Sequence, residues 1–424
     1  MPSEINKKIE KVKKWLSVSS YEFRADAQDI EAKSGSEEGT CKIWKGGQSE
    51  NLFTEDIDRH EYRIFVGTWN VAGLRPGDDV CLEKWLDMKE PADIYVVGFQ
   101  EIVPLNAGNV ICVKDDGSSA EWEALIHRTL NPEADDYNKR SLRWQRMKRS
   151  RRELRNSSVV PQYGHFERPV QLNGTPECYV LVASKQMVGI FLTVWIRRNL
   201  CEAVRSVRVS CVGCGLMGFL GNKGAISFSM LLHQTSFCFI CTHLTSGEKQ
   251  GDELRRNADV AEILRRTYFA ARAHHSGGKY SPRRILAHEK VIWFGDLNYR
   301  LVLNNNATME LLGKGSLESL LENDQLSMEQ KAGRVFASWN EGVINFAPTY
   351  KYCLNSDFYT REIFKHGQTC RTPAWCDRIL WIGKGLKQIA YGRSELRFSD
   401  HRPVRAVFLA AVQVDYSSGT TTSC

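Results

Sequence analysis

Short apolar runs separated by polar, glycine-containing segments recur along the chain from residue 62 onward. Runs of this length, bounded by turn residues, are typical of buried β-strands. The predicted strands cover residues 62–69, 92–100, 178–197, 203–213, 224–232, 236–244, 291–295, 377–383 and 403–412. Their short, regular spacing favours antiparallel pairing over most of the sheet.

Helical periodicity is found in fewer places. It is clearest over residues 252–273, where one face is predicted to be apolar and buried. That face carries Leu254, Ala258, Ala261, Leu264 and Tyr268. Residues 79–88, 120–130 and 307–335 are also predicted to be helical. Strands interleaved with helices, with many antiparallel neighbours, predict an α+β fold in which helices cover packed sheets.

The same pattern divides the chain into unequal parts. Residues 1–60 are polar and lack a clear periodicity, so we expect a flexible lead. Residues 61–412 carry the pattern of one large domain, interrupted by an insert at about 131–177 that is rich in basic and loop-forming residues. Residues 413–424 are predicted to be a disordered tail.

Charge is concentrated in one segment. The 424 residues include 57 Lys and Arg against 50 Asp and Glu, a formal net charge of +7. Residues 140–155, the basic stripe, hold eight basic residues and one glutamate, which is also +7, so the rest of the chain is neutral. The stripe has three interpretations: a solvated insert, a nuclear-localisation or nucleic-acid patch, and a segment attracted to anionic lipid.

The cysteines indicate a reducing compartment. There are thirteen, scattered without a small-domain framework, and the amino-terminal residues are charged where a secretory signal needs an apolar run. Two CxxC pairs, Cys211/Cys214 and Cys238/Cys241, resemble zinc half-sites. Cys238 and Cys241 fall at odd spacing in a predicted strand, so they should point to opposite faces. We therefore predict buried thiols and no structural zinc.

Five polar clusters directly follow apolar runs. They contain Asn70, Glu101, His243, Asp296 with Asn298, and Asp400 with His401. Each alone has an ordinary explanation, since a glutamate after a strand is usually solvated and short Gly-Asp or Asp-His segments often form turns or caps. Five such clusters at predicted strand ends favour a functional site on one rim of the sheets.

The residue types in these clusters predict a particular chemistry. Carboxylate and amide oxygens suit Mg²⁺, which keeps several waters and needs one or two protein carboxylates plus substrate phosphate. A histidine aligned by an aspartate, together with a free aspartate near a metal, suits transfer of a phosphoryl group to water. The residues by themselves therefore predict Mg²⁺-dependent hydrolysis of a phosphate ester.

A series of motifs stands in order along most of the chain. They are TWNVAG (68–73), GFQEIVPLNAGNV (98–110), GFLGNKGAI (218–226), THLTSGE (242–248), FGDLNYR (294–300), PTYKY (348–352), PAWCDRILW (373–381) and SDHRPV (399–404). In this combination the chain closely resembles the inositol polyphosphate 5-phosphatases of the DNase-I-like endonuclease/exonuclease/phosphatase superfamily. The resemblance implies a four-layer α/β/β/α sandwich of two mostly antiparallel sheets, and the basic insert resembles that of the plant branch.

The resemblance implies a catalytic role for five residues. Asp296 would orient or deprotonate the attacking water, Asn298 would hold a phosphate oxygen, and His243 would stabilise charge on the transferring oxygens. His401 would contact the scissile phosphate and be aligned by Asp377, which fixes its tautomer. Which of Asp296 and His401 acts as the base stays open.

The cofactor and the rest of the substrate are implied in the same way. Mg²⁺ would bind Glu101, with Asn70 beside it and Asp400 as a further ligand. The substrate-binding residues would be Tyr350, Lys351 and Arg371 on the 4-phosphate, and Asn222 and Lys223 on the 1-phosphate side.

Two further features bear on the substrate. Thr369 stands where many family members carry a lysine two residues before the clamp arginine, so the clamp has one cation fewer unless Lys365 or His366 replaces it. The residues Leu216, Met217, Phe219 and Leu220 lie among glycines before GNKG. Core packing is the ordinary interpretation of such residues. The resemblance favours contact with lipid acyl chains.

The predicted function is Mg²⁺-dependent removal of the 5-phosphate from phosphoinositides, from soluble inositol polyphosphates, or from both. One alternative is a nuclease of the same superfamily, which PAWCDRILW and PTYKY disfavour. Another is a non-catalytic phosphoinositide-binding scaffold. We expect a monomer in the cytoplasm that contacts anionic membranes peripherally, with nuclear localisation as an alternative from the basic stripe and nucleic acid disfavoured as a partner.

Overall fold

Two six-stranded sheets make up most of the computed structural model, which describes residues 58–105 without 78, 117–132, 178–270 without 216, 217 and 219, 281–360 and 371–414. The first sheet contains β1 (Asp58–Asn70), β2 (Ile94–Gln100), β3 (Tyr179–Met187), β4 (Ile190–Arg197), β11 (Leu386–Arg393) and β12 (Val404–Val414). The second contains β5 (Val204–Gly213), β6 (Gly224–Leu232), β7 (Thr235–His243), β8 (Lys290–Asp296), β9 (Asn340–Glu341) and β10 (Asp377–Ile382). The strand order is β11-β12-β1-β2-β4-β3 in the first sheet and β5-β6-β7-β8-β10-β9 in the second.

Five α-helices lie in the described residues. They are α1 (Ser118–Leu130), α2 (Asp252–Arg266), α3 (Asn305–Gly313), α4 (Leu317–Leu321) and α5 (Gln325–Lys331). Short 3₁₀ turns cover Arg198–Ala203 and Ile285–Ala287. None of the helices in the described part of the chain is long and apolar enough to cross a membrane.

Alternating side chains on the strands separate three layers of apolar core. On β1, Ile64 and Val66 join the central cluster between the sheets, whereas Phe65 joins the cluster that includes Trp122 of α1. On β8, Phe294 also enters the central cluster, while Val291 and Trp293 join the cluster that includes Val260 and Ile263 of α2. The order of layers is helix, sheet, sheet, helix, so the predicted α+β four-layer sandwich is confirmed.

Most strand pairs are antiparallel, as predicted, and two pairs are parallel. β1 runs parallel to β2 in the first sheet, and β7 runs parallel to β8 in the second. The run 178–197 proved to be a hairpin of β3 and β4, while residues 224–244 form β6 and β7 joined at His233 and Gln234. Cys238 and Cys241 of β7 are buried in the outer and the central cluster respectively, on opposite faces as expected. Cys214 is half-buried and Cys211 is exposed, so the prediction of a buried thiol was wrong for Cys211.

Several predicted bounds and faces were wrong. Residues 79–88 form turns, not a helix, and 307–335 hold three short helices with turns between them. β1 begins at Asp58 and β12 ends at Val414, so both strands extend past the bounds set for the flexible lead and the tail. Residues 1–57, the basic stripe and residues 415–424 lie outside the described part.

The predicted buried face of α2 was also wrong. Leu254 and Tyr268 are 54% and 39% exposed, whereas Arg256, Asp259 and Ile263 are buried. The helix ends at Arg266, so Tyr268 lies beyond it. Its inner face therefore carries charged side chains, for a reason given with the site below.

Candidate active site

The polar clusters predicted at strand ends meet at one edge of the two sheets. In the parallel pair β7–β8, His243 lies directly opposite Asp296. In the antiparallel pair β8–β10, Asp377 also lies opposite Asp296, because β10 begins where β8 ends. Gly295 permits this close packing, since a Cβ atom there would lie 2.0 Å from the Thr242 carbonyl oxygen. Strand register alone thus brings three catalytic candidates together.

The first sheet supplies the other side of the site. Asn70 ends β1 and pairs in register with Gln100, the last residue of the parallel strand β2, so Glu101 emerges beside it. Glu101 and Asn298 both have positive φ, 55° and 58°. This conformation is uncommon outside glycine and is found disproportionately at functional sites.

A cavity of about 400 Å³ opens between these strand ends. Of the residues predicted for catalysis, metal or substrate, twelve line it: Asn70, Glu101, Asn222, Lys223, His243, Asp296, Asn298, Tyr350, Lys351, Arg371, Asp400 and His401. Asp377 lies behind the wall. Four lining residues were not predicted: Leu105, Ser246, Gly247 and Arg300.

His401 is held from behind by a buried aspartate. Its Nδ1 lies 2.8 Å from Asp377 Oδ2, and the Thr349 hydroxyl donates to the same oxygen at 2.6 Å. Burial disfavours a charged imidazole, but the charge of Asp377 and the hydrogen bond to it outweigh burial and raise the pKa of His401 to about 9. The arrangement leaves Nε2 of His401 as the nitrogen that faces the cavity.

Asp296 lies at the centre of the site. Its Oδ2 lies 3.2 Å from His243 Nε2 and accepts a hydrogen bond from Asn70 Nδ2 at 3.0 Å. The Lys223 ammonium contacts the same nitrogen of His243. Burial would raise the pKa of Asp296, but the charges of the surrounding histidines and Lys223 hold it well below its usual range. Asp296 is therefore a carboxylate throughout the neutral pH range.

Lys223 also lies closer to the reacting centre than predicted. Burial lowers the pKa of its ammonium to about 8, against the opposing charges of Asp296 and Glu101. Its contact with His243 places a cation beside the candidate catalytic histidine as well as near Asn222, the neighbour with which it was assigned to the 1-phosphate side.

The oxygen donors expected to bind a metal are partly assembled. Asn70 Nδ2 donates to Glu101 Oε1 at 3.3 Å and to Asp296, so two carboxylates converge on the amide nitrogen, while Asn70 Oδ1 accepts from the Ala72 backbone N–H at 3.0 Å. The two carboxylates are hard oxygen donors that fit a magnesium-like cation. Asp400 lines the same cavity, but its Oδ2 accepts a hydrogen bond from Lys351 Nζ at 2.9 Å. Ligand atoms of Asp296, Asp377 and His401 also lie within 4.8 Å of one another, yet the Asp377–His401 hydrogen bond already accounts for that proximity.

Aromatic and cationic groups line the substrate side. The Tyr350 ring packs on His401 with 4.5 Å between ring centroids, and the Arg300 guanidinium lies 4.6 Å from the Tyr350 centroid. Arg300 also donates to Asn298 Oδ1 at 2.7 Å, which fixes that amide, and Asn298 Nδ2 donates to the Leu244 carbonyl. Arg371 is 47% exposed at the mouth of the cavity.

Some predictions on the substrate side lie outside the described residues. These are Leu216, Met217, Phe219, Thr369, Lys365 and His366. Leu220 is described and is half-buried, so its assignment to lipid stays a prediction. Arg300 was not predicted to be a site residue, although it ends the motif FGDLNYR. Its packing against Tyr350 shows that it belongs to the cavity wall.

A family model and the relatives in sequence agree on the family that this chain resembles. The family model for Endonuclease/Exonuclease/phosphatase family 2 matches residues 67–407. Type I inositol polyphosphate 5-phosphatase 8 of Arabidopsis thaliana is 46% identical over 97% of this chain and 87% of its own length. Type IV inositol polyphosphate 5-phosphatase 7 of the same plant is 39% identical over 97% of this chain and 93% of its own length.

Solved structures agree with this result. The inositol polyphosphate 5-phosphatase domain of SPsynaptojanin, in complex with inositol (1,4)-bisphosphate and calcium ion, superposes with a TM-score of 0.63 at 30% identity. The superposition covers 85% of this chain and 88% of that one. A Cimex nitrophorin has a TM-score of 0.54 at 19% identity, with 83% and 99% of the two chains covered, and shares the fold alone.

Proposed function

Because this chain belongs to the inositol polyphosphate 5-phosphatases, with relatives among the plant type I and type IV enzymes, we propose that it uses Mg²⁺ to remove the 5-phosphate of phosphoinositides and soluble inositol polyphosphates. The substrates in view are phosphatidylinositol 4,5-bisphosphate, phosphatidylinositol 3,4,5-trisphosphate and inositol 1,4,5-trisphosphate. One observation carries the proposal: a single cavity joins a buried carboxylate, a buttressed histidine, a set of oxygen donors and a cationic mouth.

The charge states of Asp296 and His401 give them different tasks. The low pKa of Asp296 makes it a hydrogen-bond acceptor that orients the attacking water rather than a strong base. The raised pKa of His401 makes its imidazole cationic at neutral pH, so Nε2–H donates to an oxygen of the scissile phosphate. This assignment favours positioning and charge stabilisation, which are the main needs of phosphoryl transfer.

The residues that would hold Mg²⁺ are Glu101 and Asp296, with the Asn70 amide beside them as a further ligand once its oxygen turns toward the site. A bound Mg²⁺ would neutralise charge on the phosphate oxygens and on the oxygen that leaves with the inositol ring. The structure neighbour crystallised with calcium and an inositol bisphosphate supports a divalent cation in this fold. Asp400 has a different role in the proposal, since it holds the Lys351 ammonium in place at the cavity.

The remaining ring phosphates would be bound by the cations around the cavity. Lys351 is one-third exposed beside the Tyr350 ring, and Arg371 lies at the mouth, where both are available to a 4-phosphate. Asn222 and Lys223 line the same cavity and would meet the 1-phosphate side of the ring. Further proposals are peripheral contact with anionic membranes through the 216–220 loop and the basic stripe, and a cytoplasmic location.

Phosphate release from a matched panel tests the proposal. The panel is soluble inositol 1,4,5-trisphosphate and vesicles that contain one of the two phosphoinositides, each assayed with Mg²⁺ and with EDTA. We expect Mg²⁺-dependent release that Asp296→Ala reduces by several orders of magnitude. An abasic DNA duplex is assayed in parallel. Faster cleavage of DNA than of any inositol substrate, or full activity in EDTA, would contradict the proposal.

A further inference from the structure

Three hydrogen bonds join the loop that follows β7 to side chains of α2. Asp259 Oδ2 of α2 accepts from the Thr245 backbone N–H at 2.8 Å. Arg256 Nη1 donates to the carbonyl oxygens of Thr245 and Gly247 at 3.3 and 3.1 Å. These contacts explain why charged residues of α2 face inward, and they leave Glu248 on a rigid backbone beside the cavity.

Glu248 bridges two arginines from different parts of the chain. Its Oε1 lies 3.4 Å from Arg300 Nη1 and 3.4 Å from Arg371 Nη1. The Glu248 side chain is 22% exposed, Arg300 is 6% exposed, and Arg371 is 47% exposed. The carboxylate thus joins a buried arginine to one at the cavity mouth, although Glu248 itself is not among the lining residues.

Arg300 has several contacts besides the one with Glu248. Its Nε donates to the Asn298 carbonyl at 3.1 Å and its Nη2 to the Asn298 side chain at 2.7 Å, while the Tyr350 ring covers its flat face. The Arg371 backbone carbonyl accepts from Asn305 Nδ2 at 3.4 Å. The Arg371 side chain is long, and ordering such a side chain on a phosphate costs conformational entropy.

We propose that Glu248 is a positioning residue that holds the Arg371 guanidinium at the cavity mouth and so sharpens selection for substrates with a 4-phosphate. The inference rests on the proposed function, in which Arg371 contacts that phosphate. A carboxylate fixed on a rigid loop restricts the arginine before the ligand arrives, and such preorganisation raises affinity because less conformational freedom is lost on binding. Since Glu248 lies behind the wall, it acts through Arg371 and does not touch the reacting atoms.

Binding measurements separate this role from catalysis. Calorimetric titrations would use the whole 424-residue chain, carrying Asp296→Asn to stop turnover, in the presence of Mg²⁺. The titrated ligand would be either inositol 1,4,5-trisphosphate or inositol 1,5-bisphosphate. Adding Glu248→Gln should raise the Kd of the trisphosphate about two- to fivefold, the loss expected of a partly exposed ion pair. The Kd of the bisphosphate, which lacks the 4-phosphate, should change far less.

Two variants act as controls. Glu310→Gln removes an exposed carboxylate that pairs with Lys314 on α3, and it should leave both Kd values unchanged. In an Arg371→Met background, Glu248→Gln should have no further effect on the trisphosphate. The midpoint of thermal unfolding of Glu248→Gln should match that of the parent, because Arg256 and Asp259 hold the backbone of the loop.

Several results would overturn the inference. These are an equal rise in Kd for both ligands, an unchanged or tighter trisphosphate complex, and an effect of Glu248→Gln that persists without Arg371. Failure of the parent protein to bind either headgroup would contradict the proposed function as well, whereas the other results contradict the positioning role alone.

Discussion

At the scale of single residues, the two ring nitrogens of His401 have different surroundings. Asp377 occupies Nδ1 and leaves Nε2 for the proposed contact with the substrate, so one carboxylate both orients the ring and stabilises its cationic form. Thr349 donates to the same carboxylate and fixes its orientation. The proposed catalytic role of His401 therefore depends on Asp377, which does not line the cavity.

Replacing Asp377 with Asn tests that dependence. The amide keeps the size of the side chain but removes the negative charge, so His401 loses the partner that stabilises its cationic form. We expect turnover of inositol 1,4,5-trisphosphate to fall by about 100- to 10,000-fold. Asp79→Asn, at an exposed position outside the cavity, should retain wild-type turnover. A variant at position 377 that folds and keeps more than half of the activity would refute the role.

The residue types at the site were largely predictable, whereas the links between them were not. Asn70, His243 and Asp296 follow apolar runs, and strand ends are where such residues gather. Arg300 and Glu248 gave no comparable signal, because an arginine or a glutamate after a motif is usually solvated. Their role depends on contacts between segments about 50 residues apart in the chain, which periodicity does not reveal.

At the scale of elements, strands were easier to predict than helix faces. Apolar runs located most strands because their core positions are apolar on both faces, as in β2 and β8. The inner face of α2 escaped prediction because Arg256 and Asp259 are buried against the backbone of the 245–247 loop. A prediction that assumes apolar residues are buried therefore assigns the wrong inner face to such a helix.

Arg378 links three elements through buried ion pairs. Its Nη1 lies 2.9 Å from Asp324 Oδ2, at the start of α5, and its Nη2 lies 2.6 Å from Glu341 Oε2 on β9. Arg378 itself belongs to β10, and its side chain and that of Asp324 are fully buried. Removing the cation would leave buried carboxylates uncompensated, which is more costly than losing an exposed pair.

Arg378→Met should therefore lower the free energy of unfolding by about 3 to 5 kcal/mol, as measured by urea denaturation. Arg265→Met is the matched control, because it breaks the pair with Glu262, in which both side chains are about one-third exposed or more. The control should cost much less. Equal losses in the two variants would show that Arg378 contributes no more than a surface cation.

At the scale of the whole molecule, the length of the first sheet separates the active site from the two points between which residues 133–177 are inserted. The cavity lies at the Asn70 and Glu101 ends of β1 and β2. Tyr179, at the start of β3, pairs with Arg197 at the other end of the sheet and bonds to Asn131 through its backbone. The points where residues 133–177 leave and rejoin the described chain are thus at the far end of that sheet.

This separation leads to a prediction for the deletion of residues 140–155. Turnover of soluble inositol 1,4,5-trisphosphate should stay at the wild-type rate, because the cavity keeps all of its residues. Binding to vesicles that contain anionic lipid should weaken, since each cation near such a surface contributes about 1 kcal/mol. Co-sedimentation measures the second effect. Unchanged sedimentation would leave the stripe as a solvated insert, and lost turnover would mean that it reaches the active site.

The central claim is that this cavity removes the 5-phosphate and no other. The most direct measurement is chromatographic identification of the bisphosphate formed from inositol 1,4,5-trisphosphate with Mg²⁺, with Asp296→Ala as the inactive control. The account predicts inositol 1,4-bisphosphate as the sole product, absent with the control. Formation of inositol 1,5-bisphosphate or inositol 4,5-bisphosphate, or the same product from the control, would contradict it.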